Sequence, residues 1–292
     1  MDISVIVPVY NGEKTIIELF NRIKNILDGR FSYEVIFVHD CGKDNSWGII
    51  QELMNSYPSL IKGYNLQHNY GQHKALLFGI TKACGDFIVT IDEDLEHDPY
   101  FIPALITEQK KGNYDVVYGK FENLEHPVVR IITSEFLRRI LKKLIPELYP
   151  DYSSYRLIKR ETGFKIAELK NSYSFIDGYI GWTTNKIGSV LIKHYKRAGG
   201  SSSYTLCKLF KHAILIILAY SRIKIYMLVS ALILNFTALG LYFYNVNFEK
   251  NMSKSIILIL FASGFVLLLL TLNAEIIHYN MFRKNIKPVK IK

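Results

Sequence analysis

Cysteine is scarce: the 292 residues hold 3, Cys41, Cys84 and Cys207, with no paired spacing. Neither a zinc site nor a disulfide framework is expected, as suits a reducing compartment. Glycine is not grouped in the ways that cradle phosphates. The first βα turn lacks G-x-G-x-x-G and G-x-x-x-x-G-K-[ST] occurs nowhere, which argues against a dinucleotide dehydrogenase and a P-loop NTPase. Charge is missing from two stretches, between Lys224 and Glu249 and between Lys254 and Glu275. Each reaches the roughly 20 residues needed to cross about 30 Å of hydrocarbon as a helix. A pair of buried core helices is the alternative, but "SIILILFASGFVLLLLTLNA" is apolar all round, which favours the membrane.

The remaining charge is lopsided, with a formal net +10. Lys208, Lys211, Arg222 and Lys224 precede the first span and Arg283, Lys284, Lys287, Lys290 and Lys292 follow the second, against Lys250 and Lys254 between them. Positive-inside bias predicts that both ends face the cytosol, with the excess charge against anionic lipid. Nucleic acid is a poorer account, because the basic residues cluster at the membrane edge. The opening "MDISVIVPVY" has an acid where a signal peptide carries bases and an apolar run of strand length, so the first part is expected to stay inside the cell. These readings divide the chain into a soluble domain over 1–204, an interfacial amphipathic segment over 205–224, and a two-helix membrane part over 225–292 with spans near 225–246 and 255–274.

Within the soluble part, short β-rich runs, "ISVIVPVY", "YEVIFVHD", "LIKGYNL", "DFIVTID" and "DVVYG", alternate with helical patterns such as Ile16, Leu19, Phe20, Ile23, Ile26 and Leu27. Strands alternating with helices predict an α/β fold with a doubly wound, mostly parallel sheet covered on both faces. Ligands of such sheets bind beyond the carboxyl ends of the strands. That rule selects "PVYNG", "HDCGKDNS" and "DEDLEHD" as the walls of one crevice. With no glycine-walled phosphate site, a phosphorylated ligand needs another neutralising group, and a divalent metal held by carboxylates would serve. In "VTIDEDLEHDP", Asp92, Asp94 and Glu96 alternate, so an extended chain would put them on one side. Mg2+ or Mn2+ takes oxygen ligands and commonly only one or two from protein when phosphates supply others. Asp98, ahead of Pro99, reads instead as a helix cap.

In order, "SVIVPVYNGEKTI", "EVIFVHDCGKDNS", "NYGQHKALLFGITKACGDFIVTIDEDLEHDP" and "DVVYG" resemble family 2 glycosyltransferases of the GT-A nucleotide-sugar fold, with Asp92-Glu93-Asp94 as their D-x-D signature. "SSYRL" at 153–157, "RAGGSSSYTLCKL" at 197–209, the two spans, and a tail with Glu275 and "KP" at 287–288 extend the resemblance to the bacterial polyprenyl-phosphate glycosyltransferases, relatives of dolichyl-phosphate mannose synthase. The resemblance implies an integral protein of the bacterial inner membrane that moves one sugar from a nucleotide donor to polyprenyl (undecaprenyl) phosphate, with inversion, at the cytosolic face. A UDP-linked donor is the first expectation, GDP or TDP the alternatives. It further implies that Pro8, Tyr10, Asp40 and Asp92 meet the nucleotide, that Asp92, Asp94 and Glu96 hold the metal, and that Asp94 is catalytic. Arg156, Arg197 and Lys208 would act on the acceptor phosphate, a guanidinium as a bidentate fork and the ammonium as a point charge, with Ser202 and Tyr204 adding neutral hydrogen bonds.

Two departures stand out. His39-Asp40-Cys41-Gly42 replaces the D-D-G-S common in relatives, and Ser153-Ser154-Tyr155-Arg156-Leu157 replaces G-D-F-R-L, so an acid near the acceptor is missing at 154. A phosphate acceptor is mostly dianionic at neutral pH and arrives without need of a general base. A transferase that extends a lipid-linked oligosaccharide would need such a base, and Asp151 and Asp177 are its candidates. A processive synthase would carry Q-x-x-R-W, absent here with only Trp47 and Trp182. A non-catalytic membrane scaffold that binds a nucleotide sugar is the remaining alternative. Gly240 and Gly264 leave room for the spans to pack against neighbours, including a homo-oligomer.

Overall fold

The computed structural model describes residues 1–121, 139–169, 173–193, 206–247, 254–285 and 291. Its centre is a seven-stranded sheet of β1 (Ile3–Val9), β2 (Tyr33–His39), β3 (Ile61–Asn65), β4 (Phe87–Thr90), β5 (Val116–Phe121), β6 (Arg156–Lys159) and β7 (Ile187–Ile192), in the order β3-β2-β1-β4-β6-β5-β7. Only β6 runs against its neighbours, pairing antiparallel with β4 and β5. β1 and β2 are buried at every position, as expected of strands covered on both faces.

The helices supply the two covers. Ile3, Val5, Val7 and Val9 of β1 pack with α1 (Ile16–Leu27), α2 (Ser46–Ser56) and α4 (Ile102–Gly112). Ile6 points the other way, into the layer of α3 (Gln72–Ile80), α5 (Arg160–Glu168) and α6 (Ile176–Thr183). This alternation follows from the two-residue period of a strand. The helix stripe of α1 repeats at helical spacing, with Ile16, Leu19, Phe20, Ile23 and Leu27 all buried.

At the sheet end opposite the strands' carboxyl ends, Glu34 is buried and accepts from Ser4 Oγ at 2.6 Å and Cys84 N at 2.7 Å, while half-exposed Lys62 Nζ lies 2.7 Å away. Burial pushes this carboxyl up, but the bonds from Lys62, Ser4 and Cys84 outweigh burial and leave it below its ordinary value. A carboxyl depressed in the folded state stabilises the fold above the unfolded-chain value, and the contribution is lost as pH falls through the folded value. Glu34→Gln should therefore lower the urea midpoint at neutral pH, at a cost on the order of 1–3 kcal/mol. The gap from wild type should close as pH is taken from about 7 to about 3. A gap that stays constant with pH would remove the charged carboxylate as its source.

Among the described residues, three helices follow the sheet domain: α7 (Leu206–Tyr220), α8 (Ile223–Asn247) and α9 (Lys254–Asn285). Ala213, Ile216 and Tyr220 form the buried stripe of α7, and the Tyr220 hydroxyl donates to Tyr173 O at 2.8 Å while accepting from Phe175 N at 3.1 Å. Its ring lies tilted at 4.7 Å from that of Trp182, so the buried stripe of α7 docks on α6. α8 and α9 contain windows, Ile225–Tyr244 and Ile256–Ile277, long and apolar enough to cross a membrane, and most of their large apolar side chains are exposed. They pack on each other through a seam of Ala231 and Ala238 against Ile257, Gly264 and Thr271. The seven-residue spacing on each is the pattern of helices that pack at a shallow angle. A side chain at Gly264 would strike Asn235, whereas Gly240 faces open space.

Candidate active site

Proline opens the crevice. In β1 the even residues bond toward β4, as Ile91 N to Ile6 O shows, and the odd residues toward β2, as Asp40 N to Val9 O shows. Pro8 sits where β1 would next donate to β4 and has no N–H to give, so the ladder ends and the two strands part directly ahead of Asp92. Pro8 itself is buried and shapes the site from within the sheet, whereas Tyr10 is 45% exposed at the rim.

Beyond the three strand ends the backbone is strained. Asn11 (φ 60), Cys41 (φ 56) and Leu95 (φ 65) adopt the left-handed region that favours glycine. Such residues persist only where surrounding structure holds them, and they cluster at ligand sites. The holding bonds are visible here: Asn11 Oδ1 accepts from Lys43 N at 2.8 Å, Ser46 Oγ from Gly12 N at 2.8 Å, and Asp44 Oδ2 from Glu13 N at 3.0 Å. His39 Nε2 accepts from Gly42 N at 3.1 Å, so Nδ1 carries the proton and donates to Asn65 Oδ1 at 2.9 Å. His39 is thus a packed imidazole beside Trp47, as its residue type suggests. A side chain at Gly42 would meet Asn11 Oδ1 at 2.9 Å, so the variant "HDCG" turn retains the need for glycine.

Asp40, directly past the carboxyl end of β2, is 3% exposed, and its two oxygens accept from Tyr70 N at 2.7 Å and Gly71 N at 2.8 Å. Burial raises this carboxyl, and the two amides offset that only in part. Past the end of β4, Asp92 Oδ1 accepts from Gln72 Nε2 at 2.6 Å, and Asp94 Oδ1 accepts from Glu96 N at 3.1 Å. Between them Glu93 packs on Gly12, where an added Cβ would lie 2.9 Å from its Cγ. Burial, then the negative charges of Asp92 and Asp94, push Glu93 up to about 8. Two of these carboxyls, Asp92 and Asp94, are hard oxygen donors of the kind that suits a divalent cation shared with a diphosphate.

Two expectations change. The run after β4 does not stay extended: β4 ends at Thr90 and Leu95 turns left-handed and inward, 5% exposed. Strand alternation therefore does not carry Glu96 to the side of Asp92 and Asp94. Among the described residues no three acidic, histidine or cysteine side chains converge on a metal position. Arg156 is the second correction. It is 1% exposed, 2.9 Å from Asp177 Oδ1 and over the Tyr118 ring, so a bidentate grip on a lipid phosphate is not what its fork is placed for. β6 places it there by pairing Arg156 with both Thr90 and Tyr118. Asp177, taken by Arg156 and by Tyr118 Oη at 2.8 Å, is not an exposed base, and Asp151 pairs with Lys120 at 3.1 Å.

Asp98 caps the 3-10 turn Pro99–Phe101 by accepting from Tyr100 N at 2.9 Å, as expected. Ser154, in place of an acid, sits with its Oγ 3.5 Å from His97 Nε2. Arg197, Ser202 and Tyr204 lie outside the described residues, and Lys208 is placed only as part of α7. Sequence reasoning missed Gln72 and Glu93. Gln72 lay inside a quoted motif without a partner in view, and Glu93 was the unassigned middle of D-x-D.

Residues 4–166, more than half of the chain, match glycosyl transferase family 2. The chain belongs to that family. This glycosyltransferase is 30% identical over 209 residues, 71% of its length, to the undecaprenyl-phosphate 4-deoxy-4-formamido-L-arabinose transferase of Proteus mirabilis, of whose length the match spans 64%. It is also 30% identical over 285 residues, 94% of its length and 88% of the relative's, to the glycosyltransferase YkcC of Bacillus subtilis. Among solved structures, glucosyl-3-phosphoglycerate synthase of Mycobacterium tuberculosis, crystallised with Mn2+, UDP and phosphoglyceric acid, superposes with a TM-score of 0.56 at 20% identity, covering 74% of this chain and 76% of that one. Staphylococcus aureus TarS 1–349 in complex with UDP-GlcNAc gives 0.53 at 23% identity, covering 75% and 66%. At these identities the likeness is one of fold, GT-A-like α/β, to which this glycosyltransferase adds two apolar helices of membrane length.

Proposed function

We propose that this glycosyltransferase moves one sugar from a nucleotide-sugar donor, UDP-linked, to polyprenyl phosphate at the cytosolic face of a bacterial inner membrane, forming a polyprenyl-phosphate monosaccharide. The observation that carries the reading is the acidic crevice of Asp40, Asp92 and Asp94 on a domain to which Tyr220 fastens two helices of bilayer length. The Proteus relative's undecaprenyl-phosphate acceptor supports it.

Asp40 and Tyr10 would receive the nucleotide, with Pro8 keeping the strands apart, and Asp92 and Asp94 would hold Mg2+ or Mn2+. Bound there, the cation would neutralise charge on the departing diphosphate. The lipid phosphate is already ionised, so its oxygen attacks the anomeric carbon as the bond to the diphosphate breaks, on opposite faces, and the centre inverts. A hydroxyl at Ser154 is compatible with this chemistry because no proton must be removed. An extender of lipid-linked oligosaccharides would need a base, and both candidates for one, Asp151 and Asp177, are paired with cations. The acceptor phosphate falls to Arg197, Ser202, Tyr204 and Lys208, which precede or begin α7 at the membrane edge.

The full-length protein in lipid nanodiscs, given Mn2+, polyprenyl phosphate and UDP-, GDP- and TDP-sugars in turn, should yield one lipid product heavier by a single sugar, read by mass spectrometry. Sugar transfer only to a lipid that already carries a glycan would overturn the acceptor assignment.

A further inference from the structure

Gln72 is the first residue of α3 and donates from Nε2 to Asp92 Oδ1 at 2.6 Å. A bond that short to an ionised carboxylate is of the strong, charge-assisted kind. The origin of the side chain is set independently. Asp40 grips the amides of Tyr70 and Gly71 just before it, Gly71 takes a φ of 88° that glycine tolerates, and α3 is anchored behind it by buried Ala75, Leu76 and Ile80. The carboxylate of Asp40 thus fixes the turn from which Gln72 reaches that of Asp92. A neutral amide suits this position. It donates to one oxygen without adding a positive charge that would repel a cation.

We propose that Gln72 is a positioning residue that holds Asp92 in its ligating orientation and ties metal affinity to the Asp40 side of the crevice. The proposal rests on the reading of Asp92 and Asp94 as metal ligands. Groups that orient metal ligands from outside are worth 10- to 100-fold in affinity. Gln72→Met keeps the length and removes the donor. In the full-length protein with UDP present, Mn2+ titration followed by electron paramagnetic resonance should show about 10- to 100-fold weaker binding in Gln72→Met, with the thermal midpoint unchanged. Wild-type Mn2+ affinity in Gln72→Met, while Asp94→Asn loses Mn2+, would overturn the positioning role alone. Equal and negligible Mn2+ uptake by wild type and Asp94→Asn would overturn the metal reading, and this proposal with it.

Discussion

Asp94→Asn should lower sugar transfer by about 10²- to 10³-fold, the scale seen when one group that stabilises transition-state charge is removed. The expectation follows from where charge sits. Asp92 and Asp94 flank Glu93, whose carboxyl is held up to about 8 first by burial and then by their negative charge. A cation held there would offset that negative charge and face the diphosphate. Asparagine keeps the shape of the turn, including an oxygen to accept from Glu96 N, but withdraws one of two formal charges. Initial rates at saturating Mn2+ measure the loss, and membrane insertion should be unaffected because Asp94 is far in sequence from both apolar windows. Undiminished turnover by Asp94→Asn in the presence of a chelator would sink the metal clamp.

Asp177→Ala should destabilise the protein by about 3–5 kcal/mol, because it leaves a buried guanidinium without its counter-charge. Arg156 and Asp177 are both almost wholly enclosed, and Tyr118, fully buried, would lose its acceptor in the same change. For a domain of this size each kcal/mol moves the thermal midpoint by roughly 2–4 °C, so a shift on the order of 10 °C is expected. Arg156→Met combined with Asp177→Leu removes both charges and should recover most of the loss. A contrast in kinetics accompanies it. Arg156→Ala should reduce the amount of folded enzyme without selectively raising the KM for lipid phosphate, since the guanidinium faces Asp177. A selective rise in lipid KM at unchanged stability would return Arg156 to the acceptor site.

Much of the architecture is written locally. The apolar runs at 3–10, 33–40 and 86–92 became β1, β2 and β4 with ends one or two residues short, and the stripe from Ile16 to Leu27 became the buried face of α1. β6 and β7 were not legible. "RLIK" is four residues long, and it is a strand because Thr90 and Tyr118 stand on either side of it, partners distant in the chain. The same long-range pairing decided Arg156: a basic residue in a motif reads as a phosphate ligand until the sheet closes over it.

By itself the sequence determined the strand ends that carry the candidate site and the two long apolar helices, because both depend on short-range facts: which residues end a strand, and how many apolar residues run without a charge. Only the tertiary structure decided which side chains meet there. Leu95 turns the chain before Glu96 can join the aspartates, Gln72 arrives from another helix, and Asp177 claims Arg156. Contacts of this kind depend on backbone turns and on pairings between distant segments, and neither leaves a periodic trace in the residues themselves.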